Sequence, residues 1–90
     1  MMQRMPQERV VMSEEEARAW RVLAGDEGEV MVFEVCNRAL MVPSAVDQAG
    51  KDLEQHGLVE LGGEGVTRWM RAKEGKRGVQ VMVLAGAGLP

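Results

Sequence analysis

Pro43 divides the middle of the chain. Helical periodicity runs up to it, from Val32 to Met41, and resumes beyond it, from Ser44 to Gln55. No α-helix passes smoothly through a proline, because the ring lacks an amide proton and pushes the preceding residue out of helical geometry. Residues 32–57 must therefore be two short helices with a tight turn between them. On the first, Val35, Cys36, Ala39 and Leu40 share one face, opposite Glu34, Asn37 and Arg38. On the second, Val46, Ala49 or Gly50, and Leu53 form the buried stripe, leaving Ser44, Ala45, Asp47, Gln48, Lys51, Asp52 and Gln55 outside it. Pro43 suits a first helical position; equally, Ser44 can be the N-cap, with Asp47 closing a capping box. Gly57 ends this helix.

An earlier helix begins at Ser13. That serine is followed by Glu14, Glu15 and Glu16, a capping box with three carboxylates at the positive end of the helix dipole. Ala17, Trp20, Leu23 and Ala24 supply its apolar face, and Gly25 closes it. Val30 to Phe33 reads either as a buried strand or as the entry to the next helix. Downstream, Leu58, Val59 and Leu61 are extended, and Gly62-Gly63-Glu64-Gly65 is a turn. Val66–Ala72 and Val79–Leu84 read as a β-hairpin around the loop 73–78. Residues 85–90 are too rich in glycine to extend as a helix. At ninety residues and 9.9 kDa there is room for one domain. The expectation is a small α+β domain over residues 13–88, three helices followed by a hairpin. Residues 1–12 form a tail with a short strand or helix near Val10 and Val11. Met12-Ser13-Glu14 also looks like an ordinary translation start, so 1–11 read equally as an upstream extension.

Two helices about a tight turn, followed by a hairpin, describe a winged helix-turn-helix. The stretches Phe33-Glu34-Val35-Cys36-Asn37-Arg38, Pro43-Ser44-Ala45-Val46 and Leu53-Glu54-Gln55-His56-Gly57-Leu58-Val59-Glu60 resemble the DNA-binding core of MarR-type transcriptional regulators. The resemblance extends to the basic Lys76-Arg77 before Val79–Leu84. It implies double-stranded DNA as partner, the third helix in the major groove, the hairpin as a wing on the backbone, and a homodimer on a palindromic site. Leu40 stands where that family usually has a turn glycine, and Val42 where it often has a capping serine. The long helices that form the dimer in that family have no counterpart here.

Charge is unevenly spread. The chain carries a net −3, which excludes a uniformly basic nucleic-acid coat. Residues 13–29 carry −4 and residues 43–57 carry −2, whereas 66–80 carry +4. Candidate DNA-contacting residues are Pro43, Ser44, Ala45, Gln48 and Lys51 on the third helix, and Arg68, Arg71, Lys73, Lys76 and Arg77 on the hairpin. Ser44 can bond a phosphate or base, Ala45 can touch a thymine methyl, and Gln48 can pair with adenine. The cations can neutralise phosphates. Asp47 opposes that use unless its charge is spent on backbone amides. The acidic third helix supports a competing expectation, a winged helix that docks a protein partner.

The remaining residues point to structure. Trp20 and Trp69 are expected as core anchors, His56 as a solvated cation at a helix end, Cys36 as a small buried hydrophobe, and the methionines as core filling. One Cys and one His supply neither a disulfide, a zinc site nor a nucleophile–base pair, so neither catalysis nor a cofactor is expected. No apolar run reaches the roughly 20 residues of a membrane span. No signal peptide is evident, and a cytoplasmic protein without a membrane partner is the expectation.

Overall fold

The Ser13 hydroxyl accepts the amide of Glu16 at 3.1 Å, and the Glu16 carboxylate accepts the amide of Ser13 at 3.1 Å. This reciprocal cap starts α1 (Glu14–Ala24) where the sequence signal lies. The computed structural model describes residues 8–84. Around α1 it arranges β1 (Arg9–Met12), β2 (Val30–Met31), α2 (Val32–Ala39), α3 (Pro43–Gln55), β3 (Val59–Gly62), β4 (Trp69–Ala72) and β5 (Gln80–Val83). The run at Val30 is both things its sequence allowed: two strand residues, then the start of α2.

Pro43 is the first residue of α3, and Val42, without a side-chain bond, is its cap. The alternative Ser44–Asp47 capping box is not formed; Asp47 instead bonds Arg68 at 2.8 Å. Gly57 takes φ +75 just past the C-cap, the left-handed position expected there. α2 is shorter than expected, ending at Ala39 with Leu40 at φ 56. Two carbonyls at this end, Ala39 and Leu40, accept bonds from Arg18 Nη2 on α1. Leu40, expected on the buried face, is 80% exposed.

Val46, Ala49, Gly50 and Leu53 of α3 are buried as expected. Val46, Ala49 and Leu53 join Ala17, Trp20 and Leu23 of α1, Val35 of α2, Leu58 and Met70 in one core. Its floor is an antiparallel sheet of order β2-β4-β3. Leu61 pairs with Met70 and Val59 with Ala72, so β3 and β4 form a hairpin whose loop is 63–68. The loop contains a single 3₁₀ turn at Gly65–Thr67.

The expected hairpin between Val66–Ala72 and Val79–Leu84 is therefore not made. β4 is a central strand with β2 on one side and β3 on the other, and it has no free edge for β5. β5 pairs instead with β1, in parallel, with Val10 opposite Val81 and Met12 opposite Val83. Val10 and Met12 are buried, so the strand 9–12, counted with the tail from sequence, contributes two side chains to the core. Val66 is in the 3₁₀ turn rather than a strand. The remainder of the tail, residues 1–7, and the glycine-rich 85–90 lie outside the described residues.

Two glycines hold the hairpin loop together. A Cβ on Gly62 would overlap the Trp69 ring, and one on Gly63 would overlap the Thr67 carbonyl oxygen, where Gly63 also has φ +78. Trp69 is half-buried on the sheet's outer face rather than a core anchor, whereas Trp20 is buried. Among the described residues no helix is long and apolar enough to cross a membrane.

Candidate interaction face

The residues expected to contact DNA fall into two separate groups. Pro43, Ser44, Gln48 and Lys51 are exposed on α3, and Ala45 is half-buried beside them. Arg68 joins them at the base of the 63–68 loop, through its bond to Asp47. The other four lie toward or beyond the far end of β4. Arg71 faces outward from the sheet and pairs with Glu60 at 2.9 Å and Glu29 at 3.7 Å, its guanidinium 5.3 Å from the centre of the Trp69 ring. Lys73 donates its amide to Leu58, just past the C-terminal end of α3. Lys76 pairs with Glu8 at 2.8 Å. Arg77 donates to the Ala24 carbonyl at 3.0 Å and approaches Glu27 at 3.9 Å.

The +4 segment is thus not a basic hairpin tip. Its cations are spread over the base of the 63–68 loop, one strand and a crossover loop, and Arg68, Arg71, Lys76 and Arg77 meet carboxylates from other parts of the chain. On α3 itself the Gln48 amide donates to Asp52 at 3.1 Å, an i,i+4 pair along the helix. The loop that lies beside α3 is Gly63-Glu64-Gly65-Val66-Thr67-Arg68, with one acid and one paired arginine.

What occupies this end of the molecule is apolar. Phe33 (58% exposed), Val42 (62%) and Val66 (89%) stand around a groove of about 770 Å³. Its floor and walls are Val32, Cys36, Asn37, Met41, Pro43, Gly65 and Arg68. Cys36, expected to be buried, is only half-buried and lines this groove. Three elements create the groove: the first turn of α2 raises Phe33, the α2–α3 turn presents Met41 and Val42, and the hairpin loop lifts Val66 opposite them. The Val32 amide bonds the Arg68 carbonyl at 2.9 Å, fixing the loop against α2.

Sequence reasoning missed Phe33, Val42 and Val66. A signal for Phe33 existed, since it falls off the Val32, Val35, Ala39 stripe that α2 buries. Val66, flanked by Gly65 and Thr67 in a turn, was hidden by being counted as part of a strand.

Asp26 lies in the α1–β2 loop. The Gly28 amide, and then the Arg38 side chain, hold its carboxyl below the usual 3.8. His56 Nε2 lies 3.6 Å from Glu16 Oε2, across from the cap of α1. Among the described residues no three His, Cys, Asp or Glu side chains converge as a metal site. Comparison with protein-family models, curated proteins and solved structures gives no match.

Proposed function

We propose that the chain is a winged helix-turn-helix domain whose α2–α3 turn and hairpin loop bind a protein, not a nucleic-acid backbone. The element order supports the winged-helix reading: a helix, a short strand, two helices about a tight turn, and a two-stranded hairpin closing an antiparallel sheet. The 63–68 loop takes the place of the wing. One observation carries the choice of partner. Where a DNA reader presents cations, this domain exposes Phe33, Val42 and Val66 around a groove, and α3 beside them carries a net −2. Exposed apolar groups of this size, gathered at one site, mark protein contacts. The ligand that fits is an amphipathic segment, with apolar anchors in the groove and Lys or Arg flanks toward Asp47, Asp52 and Glu64.

A second reading keeps double-stranded DNA as partner, in line with the MarR-type resemblance. It is favoured by the exposed row Ser44, Gln48, Lys51 on α3, and by the weakness of solvent-exposed ion pairs such as Arg68–Asp47, which phosphate can displace.

Two titrations decide between them. A displayed library of helical peptides with two apolar anchors and basic flanks should yield binders whose affinity is lost in Phe33→Ser and Val66→Asp. A random-sequence duplex at low salt should not bind. Salt-dependent duplex binding, weakened by Lys51→Ala with Arg68→Ala, would assign DNA and overturn the protein reading.

A further inference from the structure

The parallel pair β1–β5 is an unusual unit. Two-stranded sheets are marginal alone, and parallel strands are normally covered on both faces. Here the inward face, with Val10, Met12 and Val81, packs on the core, while the outward face leaves Val11 (48% exposed) beside its register partner Met82 (51%). Leu84 is exposed at the strand's end.

The backbone is open as well. The Gln80 amide bonds the Glu8 carbonyl at 2.8 Å and the Leu84 amide bonds the Met12 carbonyl at 2.9 Å. By the alternation of a strand ladder, Gln80, Met82 and Leu84 turn their amides to β1, and Val81 and Val83 turn theirs to the other side. Among the described residues no strand pairs there. Chains usually guard such an edge with lysine, proline or a bulge. Between Gly78 and Leu84 there is neither a charge nor a proline. The outer edge of β1, by contrast, is flanked by Glu8 and Arg9.

We propose that β5 pairs with β5 of a second copy of this chain, antiparallel across a two-fold axis, joining two ribbons into one four-stranded sheet, β1-β5-β5-β1. A two-fold axis makes self-pairing of one strand antiparallel by symmetry. With the axis at Met82, Val81 and Val83 exchange backbone bonds between copies, and the two Met82 residues form the close, non-hydrogen-bonded pair. The uncharged strand meets itself without like-charge contact, although each copy carries a net −3. Met82 and Leu84 are covered, and Val11 extends the apolar face on either side. The interface is small, so the dimer is concentration-dependent. It is independent of what the groove by α3 binds.

Sedimentation equilibrium tests this. The full chain should show a monomer–dimer equilibrium. Met82→Lys sets two cations against each other at the axis, and Val83→Pro removes an outward amide while leaving the β1 ladder intact. Each should weaken dimerisation about tenfold or more with the fold preserved by circular dichroism. If either variant does not fold, the Cys36→Ser/Met82→Cys double variant decides: oxidation should give a disulfide-linked dimer. A monomeric wild type, a dimer indifferent to both substitutions, or no cross-link at position 82 would each overturn the proposal.

Discussion

Arg68 Nη1 lies 2.8 Å from Asp47 Oδ1, so the base of the hairpin loop is fastened to the N-terminal half of α3. Both side chains keep a third or more of their surface in water, and the pair is screened accordingly. Its role is to orient more than to stabilise. Arg68→Met is expected to cost less than about 1 kcal/mol in urea melts, a loss that shrinks further in salt. A larger, salt-independent loss would mean that Arg68 is held by packing rather than by charge.

Leu40 is the one non-glycine described residue with positive φ. The left-handed region costs an ordinary residue about 1–2 kcal/mol, and this leucine recovers little by burial. Leu40→Gly should therefore raise stability by about 0.5–1 kcal/mol, part of the relief being offset by the flexibility of glycine in the unfolded chain. Thermal unfolding reads this directly. An unchanged or lower melting temperature would show that the Leu40 side chain contributes to the fold.

At Gly62 the constraint is steric. The Trp69 ring lies where a Cβ would be, so Gly62→Ala should cost about 1–3 kcal/mol. In a Trp69→Leu background the penalty should shrink, because the opposing ring is gone. A double-mutant cycle that found the two changes additive would refute the contact as its cause.

Asp26 supplies a pH dependence. The Gly28 amide at 3.0 Å, with Arg38 at 3.3 Å, favours its charged form and depresses its pKa in the folded state. The resulting stabilisation is complete above the ordinary carboxylate value of 3.8 and is lost as pH falls below it through the folded value. A carboxyl-carbon NMR titration should place Asp26 below 3.8, and Arg38→Ala should move it part of the way back. No movement would leave the Gly28 amide, with the more distant Arg77 charge, as the cause.

Local chemistry was legible in the sequence; long-range partnership was not. The Ser13–Glu16 cap, the start of α3 at Pro43 and the left-handed Gly57 each depend on residues within a few positions of one another. So does the buried stripe of Val46, Ala49 and Leu53. The strand pairing went wrong because β5 looked adjacent to β4 in sequence. Nothing local reveals that β4 already has partners on both sides, or that Val10 and Met12 need covering. Charge misled for the same reason. Lys76 and Arg77 look like free cations until Glu8, beside the first strand, and Glu27, in the α1–β2 loop, are brought to them.

The β1–β5 pairing also governs when the molecule can finish folding. Arg9 is among the first described residues to leave a ribosome and Gln80 among the last, yet they are register partners. On the nascent chain the helices can form and collapse together before β5 emerges, since all three precede it and α1 packs on both α2 and α3. Val10 and Met12 lack their register partners until Val81 and Val83 emerge. During that interval the first strand is the part of the polypeptide most open to capture by a chaperone or by another unfinished copy.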